Sequence, residues 1–243
     1  MIIHCIGDSH ANFFSGYDEM QPEWPATDIR NRLPFFRSYR IGPVLAYNLD
    51  RYGTTTMGRE KLERLLTCLN PGSHILFCFG EIDCRAHISL QSQKQKRSPE
   101  TIIAEVVEKY GSVILKIRQM GFEPLVWNVI PSAPTTINSR IRVPPRYLFH
   151  GSCSERNRIT RTFNLYLKAL TQTTGIKFLN IFDQLLLDDG SVNRSFYSDD
   201  IHLSQKAMPL VLTSLNDMFQ RDTFKTSAQS PSVVEEVYLS PFV

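Results

Sequence analysis

Three short segments of the chain carry residue types that together suit acyl transfer. Gly7-Asp8-Ser9-His10 follows the apolar run Ile2-Ile3-His4-Cys5-Ile6. A serine hydroxyl hardly ionises near neutral pH, so it attacks a carbonyl only when a base takes its proton. Asp199-Asp200-Ile201-His202 holds an imidazole and a carboxylate three positions apart, a spacing that lets Asp199 and His202 meet across one turn. In that arrangement His202 is the base aimed at Ser9, and Asp199 fixes the ring's orientation and tautomer. Between them lies Phe79-Gly80-Glu81-Ile82-Asp83-Cys84-Arg85. Each segment also has a plainer reading. Ser9 suits a turn or helix cap, Asp199 a cap with His202 on the surface. Arg85 suits a loop brace, paired with Asp83 or with Glu81.

To act together these segments need a scaffold that collects strand ends. Residues 2–6 read as a buried first strand closing on Gly7. Residues 11–34 lack a clear period and read as a long irregular connection, followed by a short helix from Ile41 to about Arg51. Leu62, Leu65, Leu66 and Leu69 recur at helical spacing within Gly58–Leu69, which Asn70-Pro71-Gly72 stops. His74–Phe79 is apolar on both faces, as a covered parallel strand is. The polar, basic stretch 80–97 reads as a loop.

Ser98-Pro99-Glu100 opens a helix with a cap, a first-turn proline and an acid near the positive helix end. Its stripe runs from Ile102 to Ile117, and Gly121 stops it. Gly111 inside costs about 1 kcal/mol relative to alanine, which points to close packing. Pro124–Ile130 is a further buried strand, 131–151 a proline-bearing loop, and 155–174 a helix closed by Gly175. Lys177–Phe182 is the last strand. The final helix runs from Ser204 to about Phe219, with Pro209 awkward in its second turn. The alternation predicts an α/β fold: a three-layer α/β/α sandwich with a mostly parallel, flavodoxin-like sheet of about five strands. One domain over residues 1–220 and a partly disordered tail over 221–243 are expected. In such sheets ligands bind at the carboxyl ends of the strands, where all three segments fall.

In this order the segments resemble the SGNH/GDSL hydrolase superfamily. Gly7, Asp8 and Ser9 match its opening block, and Asp199 and His202 its closing Asp-x-x-His block. Gly42, in Tyr39-Arg40-Ile41-Gly42-Pro43, matches a second block whose glycine N–H helps hold an oxyanion. The third block, Gly-x-Asn-Asp in the family, is here Gly80-Glu81-Ile82-Asp83, so Ile82 stands where the resemblance implies an oxyanion-binding asparagine. Losing one such donor costs about 10²–10³ in turnover. The resemblance implies Ser9, His202 and Asp199 as catalytic residues. Gly42, Asp83, Arg85, Glu81 and His10 are the candidates for oxyanion or substrate binding. The expected activity is a serine esterase that hydrolyses a carboxylic ester, of O-acetyl type on a carbohydrate-like substrate, through an acyl-enzyme. The alternatives are an acyltransferase using the same triad and a non-catalytic ligand-binding module.

The bulk properties bound these readings. The chain has 243 residues, with 27 Lys and Arg against 24 Asp and Glu, a formal charge of +3, and 42% hydrophobic residues. These are the values of a soluble domain with one core. The small charge argues against nucleic-acid binding. No run reaches the roughly 18–20 apolar residues of a membrane span, and the first residues lack the pattern of a signal peptide. Cys5, Cys68, Cys78, Cys84 and Cys153 are odd in number without Cys-x-x-Cys spacing, so free thiols and the cytoplasm are expected. Cys84 reads as a buried structural thiol, and His4, His74, His87 and His150 are scattered. No metal or organic cofactor is expected. Three basic groups should fall near the same sheet edge: Lys94, Lys96 and Arg97; Arg140, Arg142 and Arg146; Arg156, Arg158 and Arg161. They are either solvated loop charges or an attraction for an anionic ester, whether a small molecule or a glycan.

Overall fold

Strand ladders join distant parts of the sequence at one edge. Ile3–Gly7 (β1) pairs in parallel with Phe36–Arg40 (β2) on one side and with His74–Cys78 (β3) on the other. Glu123–Trp127 (β4) lies beside β3, and Lys177–Leu179 (β5) beside β4, both in parallel. The order β2-β1-β3-β4-β5 is the flavodoxin-like arrangement, whose direction of winding reverses between β1 and β3. The computed structural model describes residues 1–134 and 149–228, with the backbone alone over 221–228.

Side chains alternate between two cores. Ile6, Ile75, Phe77 and Val126 face a layer built by Gly58–Leu66 (α1), Pro99–Gln119 (α3) and Cys153–Thr174 (α4). Ile3, Cys5, Leu76, Cys78, Leu125 and Trp127 face Met208–Ala228 (α5) and the 3₁₀ turn Ser9–Ser15. The sheet is thus covered on both sides, and the chain forms a three-layer α/β/α sandwich. Among the described residues no helix is long and apolar enough to cross a membrane.

The capping chemistry acts where the residue types suggest. The Ser98 side chain accepts from the Thr101 N–H ahead of Pro99 in α3. Ser152 and Glu155 form a reciprocal capping box on α4, and Gly175 ends that helix in the left-handed region. A Cβ on Gly111 would lie 2.6 Å from Leu170 Cδ2, so the glycine does mark close approach of α3 and α4.

Several expectations change. β2 falls in a stretch without an assigned strand, because an edge strand with one neighbour keeps Arg37 and Arg40 partly exposed. The helix expected over 41–51 is a single 3₁₀ turn, Ala46–Asn48, since Gly42 takes φ +108° and breaks any helical run. The stretch 80–97 is no loop: Asp83–His87 forms a π turn that leads into Ile88–Gln95 (α2). The last strand is shorter than expected. Pro209 sits in the first turn of α5, where its missing N–H costs nothing, and the helix runs past Phe219 to Ala228. The remaining tail and Arg140, Arg142 and Arg146 lie outside the described residues.

Candidate active site

Ser9 is placed by a turn that only glycine permits. A Cβ at Gly7 would fall 2.2 Å from the Cys78 carbonyl oxygen, so β1 and β3 close on each other at that point. The Asp8 N–H then donates to the same carbonyl (3.2 Å), and Asp8 Oδ1 accepts from the His10 N–H (2.9 Å), capping the 3₁₀ turn. Asp8 is fully buried, and burial pushes its carboxyl up to about 6 against the pull of His10.

The imidazole arrives from the other end of the chain. His202 Nε2 lies 2.8 Å from Ser9 Oγ, and His202 Nδ1 lies 2.7 Å from Asp199 Oδ2. Asp199 Oδ1 accepts from the N–H groups of Ile201 and His202, each at 2.7 Å. Burial alone would raise the Asp199 carboxyl, but the His202 ring and these two amides outweigh it and hold it below the usual range. An ionised Asp199 accepts a hydrogen bond from Nδ1–H and so keeps the proton on Nδ1, which leaves the Nε2 lone pair to accept from the Ser9 hydroxyl.

Local bonds hold that loop in register. Tyr197 and Leu203 form an antiparallel bridge, and Asp200 pairs with Arg194 at 3.0 Å. Gln205 ties the loop to the serine turn. Its N–H donates to Asp18 Oδ1 (2.7 Å) and its side chain to the Phe13 carbonyl (2.8 Å).

Gly42 stands level with Ser9. Gly7 and Arg40 close the β1–β2 ladder, and the two residues follow it by the same interval. The Ile41 N–H still donates to the Gly7 carbonyl (2.9 Å), continuing the pairing. Lys61, ion-paired with Glu23, donates to the Ile41 carbonyl, fixing the plane of the Ile41–Gly42 peptide. Among the described residues the Gly42 N–H has no acceptor, which leaves it available as a donor.

The third segment is packed inward. Gly80 has φ +110°, and a Cβ there would meet Phe163 and Val129 at 2.9 Å. Glu81 Oε1 accepts from Arg85 Nε at 2.7 Å, so Arg85 braces through Glu81. Asp83 does not pair with Arg85. It is fully buried and accepts from the N–H groups of Ala46 (2.7 Å) and Tyr47 (3.2 Å). That corrects its expected place among substrate-binding residues: its carboxylate is committed to the turn that follows Gly42. Ile82 is buried, and burial drives the Cys84 thiol well up, as suits a structural thiol.

Ser9, His10 and His202 open on a cleft lined also by Phe13, Trp127 and Ile130. Arg97 pairs with Glu105 and Arg161 with Asp183, while Arg158 is exposed. Arg156 alone of the third group turns inward, donating to Ser132 Oγ and the Gly151 carbonyl. The structure adds one contact that the residue pattern did not reveal. His10 Nε2 lies 3.3 Å from Glu81 Oε2, a pairing between strand ends with no local spacing to signal it.

No protein-family model matches the chain, and no curated protein matches it in sequence. Solved structures do match in fold. Est24, a carbohydrate acetylesterase from Sinorhizobium meliloti, superposes with a TM-score of 0.54 at 15% identity, over 91% of this chain and 98% of that one. A proposed acylhydrolase from Bacteroides fragilis gives 0.51 at 14% identity, over 92% and 86%. The C-terminal domain of the Drosophila Oskar protein gives 0.51 at 13% identity, over 89% and 87%. The chain has the α/β/α fold of the SGNH/GDSL hydrolases.

Proposed function

We propose that the protein is a serine hydrolase acting on carboxylic esters, with Ser9 as nucleophile, His202 as general base and acid, and Asp199 as the group that orients His202. The observation that carries this reading is the unbroken chain of contacts, 2.8 Å from Ser9 Oγ to His202 Nε2 and 2.7 Å from Nδ1 to Asp199. Ser9 attacks the ester carbonyl as its proton passes to Nε2. The N–H groups of Ser9 and Gly42 donate to the developing oxyanion, and His202 returns the proton to the leaving alcohol. Water, activated by His202, then releases the acid from the acyl-enzyme. No step needs a metal or organic cofactor.

For substrate we infer an O-acetyl ester of a carbohydrate-like alcohol rather than nucleic acid; the likeness to a carbohydrate acetylesterase supports the acyl group. Transfer to an alcohol in place of water would use the same residues. The apolar Ile82 favours a second reading, a ligand-binding module without turnover. We also place the protein in the cytoplasm, an assignment supported by its five unpaired cysteines. Acetate release from p-nitrophenyl acetate and from acetylated oligosaccharides separates these readings. Turnover that falls by about 10³-fold or more in Ser9→Ala supports the hydrolase. Equal rates in the two proteins, or none in either, would support the binding module.

A further inference from the structure

The apolar side chain at Ile82 leaves the proposed oxyanion site with two backbone donors, and a buried polar cluster adjoins it. His10 directly follows Ser9 and lines the same cleft as Ser9 and His202. Its ring centroid lies 5.1 Å from that of His202, with the planes tilted by 38°. Behind it, Glu81 Oε2 sits 3.3 Å from His10 Nε2, while Oε1 is held by Arg85. Asp8, fully buried, accepts the His10 backbone N–H through Oδ1, and its Oδ2 has no hydrogen-bond partner.

Two buried carboxyl groups, Glu81 at 3.3 Å and Asp8 behind the backbone, favour the charged form of the His10 ring, while Arg85 on Glu81 opposes it. We infer that His10, as an imidazolium held by Glu81, is a further catalytic residue, which stabilises the oxyanion from the cleft wall in place of the donor missing at Ile82. The inference rests on the serine-hydrolase reading above. The direction of titration agrees. Burial alone would lower the His10 ring, but the 3.3 Å contact with Glu81 and the charges of Asp8 and Glu81 outweigh it, with Arg85 opposing, and raise it above the ordinary value. The charged or titratable groups facing His10 are Asp8 from the end of β1, Glu81 and Arg85 after β3, and His202 from the closing loop. Asp18 lines the same cleft. The residues after β4 that face it, Asn128, Val129 and Ile130, are neutral.

The test uses the full chain and p-nitrophenyl acetate between pH 5 and 10. Ester turnover by this route needs His10 protonated, so wild-type kcat should fall on the alkaline side. His10→Ala should lower kcat by about 10–10³-fold with KM changed far less. His10→Gln, whose amide can still donate, should recover part of that loss and abolish the alkaline fall. Melting curves of both variants verify the fold. A wild-type kcat that stays flat to pH 10, or a folded His10→Ala with kcat within twofold of wild type, overturns the inference and leaves the hydrolase reading standing. Absence of Ser9-dependent turnover in the wild type overturns both.

Discussion

At the scale of single residues, buried carboxylates divide by what meets them. Glu81 lies between Arg85 and His10; burial would raise it, yet these partners hold it well below the usual carboxylate range. At Asp83 burial outweighs the N–H groups of Ala46 and Tyr47, and its carboxyl is pushed up to about 7. The sign follows from linkage. The folded state binds a proton at Asp83 that the unfolded chain has released between the ordinary aspartate range and about pH 7, so this group's contribution to stability falls as pH rises through that window. Asp8, raised by burial to about 6, acts in the same sense. Denaturant titrations at pH 5 and pH 8 should therefore show a smaller difference in Asp83→Asn than in the wild type. An unchanged difference would mean that Asp83 stays ionised in the fold. That Ser9, His202 and Asp199 come together was legible because each stands in a short local pattern. The tie of Asp83 to Ala46 and Tyr47 was not, since backbone N–H groups leave no trace in residue type.

At the scale of elements, α1, α3, α4 and α5 were legible, while α2 and the turns between helices were not. Caps at Ser98 and Ser152 and the stop at Gly175 are local devices, so they read directly from residue order. Within the sheet β2 pairs with β1 alone, and its Arg37 and Arg40 mask the strand pattern. The π turn at Asp83–His87 depends on contacts with the 46–48 turn and α4, which lie elsewhere in the chain. Two glycines measure how rigid these elements are. A Cβ at Gly7 would strike backbone, the Cys78 carbonyl, whereas a Cβ at Gly111 meets the end of the Leu170 side chain, which can rotate away. Gly7→Ala should therefore destabilise by about 1–3 kcal/mol or more and displace Ser9. Gly111→Ala should stay near wild type, because a gain of about 1 kcal/mol in helix propensity offsets the repacking of Leu170. Urea midpoints compare the two directly; equal midpoints would show that the β1–β3 contact yields easily.

At the scale of the whole molecule, the sheet order does the positioning. The winding reverses between β1 and β3, so the loops after these strands part to form a crevice, and Ser9 and Gly80 both open from that edge. The chain then returns after β5, and the 194–203 loop bridges back across 193 residues to set His202 against Ser9. This architecture was legible from alternating apolar strands and amphipathic helices. The His10–Glu81 pairing emerged only when β1 and β3 were neighbours. The most direct measurement of the central claim is mass spectrometry of the intact and digested protein after reaction with a fluorophosphonate, which bonds an activated serine. The account predicts a single adduct on Ser9, lost in His202→Gln. A folded wild type without an adduct, or with one on another residue, would contradict it.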